Sequence, residues 1–456
     1  MPVNRESPPV VIIGAGPVGL AAAAHAFERN LSPLVLEAGA SAGAGVLRWA
    51  HVRMFSPWRF NIDRAAAAIL ARHGWTPPKD DEYPTGGELV ARYLSPLAET
   101  PEIAATLRPG MRVLAVSRVA HDRMKDTARD DAPYIVRATG PAGEEDILAR
   151  AVIDASGTIE SPGPLGASGL PAIGERAHAD RIFYGIPDVL GRPRTRYANR
   201  RILIVGSGHS ACNVLVDLSV LAREAPETRV VWAIRRPGLE RLAGGLNDQL
   251  EERGKLGLRV ARLVEERIVA LATGFHLDRL TATPDGVVAH GNGRSLAPVD
   301  EIVAATGFRP DWSILSEVRL DLHPSVGSPT ALALLIDPNV HSCGTFPPHG
   351  AEELRHPDGN FFVIGMKSYG RAPTFLMLTG YEQARSVVCA IAGDWDAARR
   401  VELVLPETGV SSLDPIPGEA CCGLTERPAP LATALPLLAT DAAPGPGCCG
   451  STTPRS

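Results

Sequence analysis

The residues of this chain with the most chemical content are glycines. VVIIGAGPVGL spans Val10 to Leu20 and RILIVGSGHSA spans Arg201 to Ala211. One such turn is a weak signal, but two, each between a β-branched strand and an Ala- or Leu-rich helix, predict a chain that binds two dinucleotides. Gly14 permits the tight turn out of the strand, Gly16 removes the Cβ that would hold phosphate oxygens off the backbone, and Gly19 lets the helix lie close to the sheet. Pro17 falls in the first helical turn, where a missing N–H costs nothing. The helix is expected to run to about Asn30, its N-terminus offering N–H groups and partial positive charge to an anion.

The second strand of each unit separates the two sites. The strand LVLE ends at Glu37, whose carboxylate accepts hydrogen bonds from ribose hydroxyls and repels a 2′-phosphate, so the first site suits the adenosine of FAD or NAD. In the second, Gly206 and Gly208 precede His209 and Ser210, and Ala211 fills the third small-residue position. The next strand, RVVWAIRR, ends in Arg235 and Arg236, and guanidinium groups pair with phosphate, which predicts NADPH. A basic strand end without a ligand is the alternative.

Around these turns the chain has 456 residues, 45% of them hydrophobic, enough for two or three cored domains. A formal charge of −5 gives no reason to expect nucleic acid or an anionic membrane as partner. The polar start MPVNRESPPV leads directly into the first strand without a secretory signal, so a cytoplasmic protein is expected. RVLAVSRV, YIVRAT and ILARAVIDASG read as a meander ending at Gly157, with Ala155 and Gly157 small enough to let the chain cross a cofactor. DEIVAATGF repeats that strand and turn, with Thr306 and Gly307 in the matching places. The expected class is α/β with two dinucleotide-binding, Rossmann-like domains. FAD-domain segments at 1–164 and 301–408 flank an inserted NADPH domain at 165–300, and a flexible, Pro-, Ala- and Gly-rich tail comes last, at 409–456. In the last FAD segment, Gly365 opens a turn and Thr374 starts a helix to Ile391.

Together GAGPVGL, DASG, GSGHSA and ATGF resemble the NADPH-dependent flavin monooxygenases, the class of flavin-containing and Baeyer–Villiger enzymes, over about residues 8 to 400. The stretches HVRMFSPW, DPNVHSCGTFPPHG and GMKSYGRAPTFL are similar to a narrower group, bacterial flavoproteins encoded beside arsenic-resistance genes. The resemblance implies FAD held by the first turn, Glu37 and both crossover segments, and NADPH held by the second turn and the basic strand end. It implies that reduced flavin activates oxygen and passes one atom to a soft nucleophile, with the cofactors carrying the difficult steps. Arg48, Trp49 and Arg53 would then lie near the flavin ring. The helix starting at Thr374 would direct its positive end at the flavin pyrimidine, and Lys367 either offsets the same negative charge or is a surface lysine. One departure stands out: RIFYGIPDVLG lacks the His and Trp that come after Phe-x-Gly in ketone-oxidising members.

The cysteines bear on the acceptor. A redox-active pair beside the flavin needs two cysteines a few residues apart, and residues 1 to 211 contain none. Cys212 and Cys389 read as core packing. Cys343, in a loop with His341 and His349, either approaches the substrate or has no role. Cys421 with Cys422 and Cys448 with Cys449 are adjacent pairs, whereas seven scattered cysteines would give only about 0.1 such pairs. Neighbouring thiolates bridge poorly to each other and suit a soft, thiophilic ion, although a tail without a role stays open. The expected partner is a small-molecule or metalloid substrate, with a homodimer left open. Three functions fit: an FAD- and NADPH-dependent monooxygenase in arsenic detoxification, an NADPH-dependent reductase of a thiol-bound metalloid or disulfide, and a metalloid carrier with a structural flavin.

Overall fold

The computed structural model describes residues 7–239, 250–340, 348–373 and 375–403. Two five-stranded sheets carry the architecture. In the first, the spatial order is Phe361–Val363, Ala151–Asp154, Val10–Ile13, Pro33–Glu37 and Leu107–Pro109, with every neighbour parallel. In the second it is Val269–Ala272, Arg229–Ala233, Arg201–Val205, Glu301–Ala304 and Ile182–Tyr184, again all parallel. Parallel strands are covered on both faces, so their central members are unbroken apolar runs, as in VVII and ILIV. Each sheet is accompanied by a three-stranded antiparallel meander, Arg112–Arg118 with Tyr134–Gly140 and Gly143–Ala149 in the first case, Leu277–Thr283 with Gly286–Gly291 and Arg294–Ser295 in the second.

The α/β class with a doubled Rossmann-like unit is therefore the fold, and the second sheet lies in the chain between parts of the first. One expected boundary is corrected. Glu301–Ala304 does not return to the first module; it lies between Arg201–Val205 and Ile182–Tyr184 and completes the second sheet. The first module resumes beyond residue 305, where Leu315 and Val318 pack with Val113, Val136 and Phe361. Residues 404–456 lie outside the described residues, so the expected flexible tail does too.

Helix Pro17–Glu28 leaves the first turn and is buried along nearly its whole length by small side chains, stopping short of Asn30, which has positive φ. It packs on helix Met377–Ile391, which begins three residues later than expected; Thr374 lies outside the described residues. Buried His25 sits between Asp63 at 3.0 Å on Nε2 and Glu28 at 3.0 Å on Nδ1. Burial alone would lower its pKa, but the Asp63 carboxylate and then Glu28 outweigh it and raise the imidazole to about 9. A raised folded-state value stabilises the protein fully below the free-imidazole range, and that contribution is lost as pH rises through about 9. Wild-type stability should therefore fall between pH 7 and pH 9.5, by up to about 3 kcal/mol. A His25→Gln variant should lose most of that slope in denaturant titrations at the two pH values. An unchanged slope would place the imidazole outside the linkage.

Candidate functional site

The first turn is assembled by close backbone approach. Gly14 has φ +99°, and a Cβ there would lie 2.8 Å from the Ala155 carbonyl oxygen and 3.1 Å from Cα of Ser156. Gly19 faces the Gly14 carbonyl oxygen so closely that any side chain would collide with it. Gly16 differs in kind: it caps helix Pro17–Glu28 in an extended conformation, and a Cβ there would meet nothing within 4 Å. Glu37 braces this turn, its Oε2 accepting from Ala15 N at 2.7 Å and its Oε1 from Gly39 N at 2.7 Å. Each carboxylate oxygen keeps a second lone pair for a ribose hydroxyl.

The second turn repeats the plan. Gly206, with φ +128°, is closed over by the Ala305 carbonyl oxygen as Gly14 is by that of Ala155. Gly208 caps helix His209–Glu224 and, like Gly16, faces open space. Gly157 and Gly307 both have positive φ with open space beside them. The two crossover segments are tied to each other. Thr306 Oγ1 donates to the Gly163 carbonyl at 2.5 Å, Gly163 N donates to the Gly307 carbonyl at 2.8 Å, and Arg309 N donates to the Ser161 carbonyl at 2.8 Å. Free helical N–H groups behind an open glycine fit a pyrophosphate at both turns.

Beside the first turn lies a charged contact that the sequence did not disclose. Lys367, 1% exposed, donates from Nζ to Asp154 Oδ2 at 2.7 Å and to Ser156 Oγ at 3.2 Å, with the Trp312 ring 5.3 Å away. Lys367 is thus neither a surface lysine nor an unmatched positive charge, because Asp154, fully buried, neutralises it. Gly365, with φ +72°, donates its N–H to Gln383 Oε1 at 2.7 Å, which fixes the segment ahead of helix Met377–Ile391.

The loop after the second strand runs from Gly43, whose N–H donates to the Ala15 carbonyl at 2.9 Å, past Gly45, which faces Ile159 of the crossover. Trp49 lies flush against Gly86, leaving no room there for a side chain. Arg48 is exposed. Arg53 is exposed as well, bound to the Tyr83 carbonyl and 3.6 Å from Glu88, which anchors it to the neighbouring loop. His51, which no spacing in the sequence singles out, has a buried Nε2 with no hydrogen-bond partner among the described residues. An orphaned buried nitrogen in the loop after strand Pro33–Glu37 fits a bound polar group there.

Arg235 and Arg236 are exposed at the end of strand Arg229–Ala233. That strand is fastened to the second turn by Trp232 Nε1, which donates to the Gly206 carbonyl at 2.7 Å. Cys212 is fully buried, and burial pushes its thiol up to about 12; Cys389 is buried and raised in the same direction. Cys343, His341, Cys421, Cys422, Cys448 and Cys449 lie outside the described residues. Among the described residues no group of three or more His, Cys, Asp or Glu could hold a metal, and no helix is long and apolar enough to cross a membrane.

Residues 11–330 match the profile of the pyridine nucleotide-disulphide oxidoreductases, and the chain belongs to that family. A ferredoxin–NADP reductase of Salinispora arenicola (strain CNS-205) is 29% identical over 342 residues, 74% of this chain and 84% of that one. The bacillithiol disulfide reductase of Bacillus cereus shares the fold with a TM-score of 0.60 at 18% identity, covering 85% of this chain and 99% of that one. The flavin-containing monooxygenase of Stenotrophomonas maltophilia shares it with a TM-score of 0.53 at 22% identity, covering 85% and 98%. The ornithine hydroxylase of Pseudomonas aeruginosa does so with a TM-score of 0.57 at 15% identity, covering 85% and 99%. The chain is an oxidoreductase that uses FAD and NADP(H).

Proposed function

We propose that this oxidoreductase is an NADPH-dependent flavin monooxygenase acting on a soft nucleophile, and that it serves arsenic or organoarsenical detoxification. The observation that carries the oxygenase half is the thiol inventory. A disulfide reductase with its cysteine pair built into the dinucleotide modules needs two cysteines a few residues apart there, whereas residues 1 to 211 hold no cysteine. Cys212 and Cys389 are single, buried and raised in pKa, Cys343 has no neighbouring cysteine in sequence, and the adjacent pairs Cys421–Cys422 and Cys448–Cys449 come only after residue 403.

In this reading Gly14, Gly16, Pro17, Gly19 and Glu37 receive FAD, with Ala155, Gly157 and Gly365 around it. Gly206, Gly208, His209, Ser210, Arg235 and Arg236 receive NADPH, with Thr306 and Gly307 at the crossover between the two. FAD, when bound, accepts hydride from NADPH and activates oxygen. The chain's own task is to hold both nucleotides, exclude water and keep charges matched, as Asp154 does for Lys367. Oxygen uptake and NADPH consumption, followed together across arsenicals and thioethers, test the assignment. Substrate-dependent uptake of one oxygen per NADPH is expected. Equal NADPH oxidation without oxygen, given a disulfide or a protein acceptor, would favour the reductase reading, toward which the Salinispora relative's name points.

The arsenic half rests on the two vicinal cysteine pairs and on the segments resembling the arsenic-linked group. Those pairs lie beyond the matched family region. Truncation after Leu413 should leave FAD content and NADPH oxidation nearly unchanged, while trivalent arsenical affinity and cellular tolerance fall. Cys→Ser changes at Cys421, Cys422, Cys448 and Cys449 should act in the same direction. Equal arsenical affinity and tolerance in full-length and truncated protein would remove the metalloid role. Tight thiol-dependent arsenical binding without NADPH turnover would indicate a carrier instead.

A further inference from the structure

One aromatic ring bridges the modules. Phe55 belongs to the first module, in the loop between strand Pro33–Glu37 and helix Arg64–Arg72, yet its ring centroid lies 5.2 Å from that of His209. His209 comes directly after Gly208 and opens the helix of the second turn. On helix Glu251–Glu265 of the same module, Arg253, 1% exposed, holds its guanidinium 6.0 Å from the Phe55 centroid. The ring therefore meets an imidazole and a buried cation, both from the opposite module.

The backbone on either side of Phe55 is pinned. Met54 N donates to the Pro84 carbonyl at 2.8 Å and Trp58 N to the Glu82 carbonyl at 2.9 Å. Buried Asn61 donates to the carbonyls of Ser56 at 2.8 Å and Pro57 at 2.9 Å, and accepts from Ser56 Oγ. The ring is thus held on a pinned loop of the first module against the first residue of the helix that leaves the second turn.

Resting on the reading that FAD occupies the first turn and NADPH the second, we propose that Phe55 is a positioning residue for hydride transfer. By seating His209 beside the open space at Gly208, it fixes the path along which the nicotinamide end of NADPH reaches the flavin. The step it serves is balanced: NADPH gives up one hydride, two electrons with one hydrogen nucleus, and leaves as NADP⁺ while the flavin is reduced. Phe55 has no polar atom and takes no part in the chemistry.

The experiment uses the full-length holoenzyme. Phe55→Ala should keep its FAD content and its affinity for 2′,5′-ADP, which carries only the adenosine end. Anaerobic flavin reduction at saturating NADPH should slow by about tenfold to a hundredfold, the cost of a misplaced donor. Phe55→Tyr, which keeps the flat ring, should restore the rate, and Phe55→Leu, which keeps the bulk without the π face, should not. Wild-type reduction rates in Phe55→Ala, or equal rescue by Leu and Tyr, would overturn the proposal. Failure of the wild-type protein to bind FAD or 2′,5′-ADP would instead strike the underlying cofactor assignment, and is seen before any variant is made.

Discussion

A Gly16→Val variant is expected to fold and to purify without flavin. Gly16 lies in extended backbone, φ −76° and ψ −177°, that any residue adopts, and a Cβ there meets no protein atom within 4 Å. The substitution therefore leaves the strand, the helix and their packing intact while filling the space in front of the helical N–H groups. Gly14 is the opposite case, since a side chain there would meet the Ala155 backbone in a strained conformation, so its replacement would confound folding with binding. Losing two hydrogen bonds to a charged pyrophosphate costs about 3 to 6 kcal/mol, roughly 10²- to 10⁴-fold in affinity. The measurement is the flavin absorbance of the purified protein and a titration of its apo form with FAD, beside circular dichroism to show the fold. Full FAD occupancy in Gly16→Val would remove the first turn from the cofactor site. Gly208→Val supplies the internal control, because the same open geometry at the second turn should cost NADPH affinity and leave FAD bound.

The turns were legible because their requirements are local. A strand, a glycine at each point of close approach, a helix and a final Glu37 or Arg235 lie within one short unit, and the structure repeats that unit down to the carbonyls of Ala155 and Ala305 that close over Gly14 and Gly206. The boundary near 301 was not legible in the same way. EIVA is buried at all four positions, and such a run fits the centre of either parallel sheet; only its register with Arg201–Val205 and Ile182–Tyr184 decides. Lys367 reads in sequence as exposed or charge-balancing because its partner, Asp154, stands 213 residues earlier in the chain. The approach of Phe55 to His209 belongs to the same class. Both residues sit in stretches the sequence marks, but the contact arises from how two modules meet, which no periodicity encodes.

Replacing Arg235 or Arg236 by alanine is expected to lower kcat/KM for NADPH about 10- to 100-fold and to leave NADH nearly untouched. A charge-assisted hydrogen bond contributes about 1.5 to 3 kcal/mol, and the 2′-phosphate is the only group by which the two coenzymes differ. The geometry supports a ligand role. Both arginines are exposed at the end of the strand that Trp232 fastens to the second turn, and the first site carries Glu37 at the equivalent strand end. The backbone beneath them is fixed independently, by Gly274 N donating to the Arg236 carbonyl and Phe275 N donating to that of Ile234. Truncating the side chains leaves these backbone bonds in place, and the Arg235 variant additionally loses the hydrogen bond from Arg235 Nη1 to the Ala167 carbonyl at 3.2 Å. If each arginine reaches the phosphate, the double variant should lose more than either single variant and bring NADPH down toward NADH. The preference should also shrink as salt is raised, since exposed cations and a phosphate are screened. Steady-state kinetics with both coenzymes at low and high ionic strength check all three expectations. Equal losses with NADPH and NADH would mean that the arginines support the fold of the second module and read no phosphate, and the coenzyme's adenosine end would then have to be recognised elsewhere along the strand.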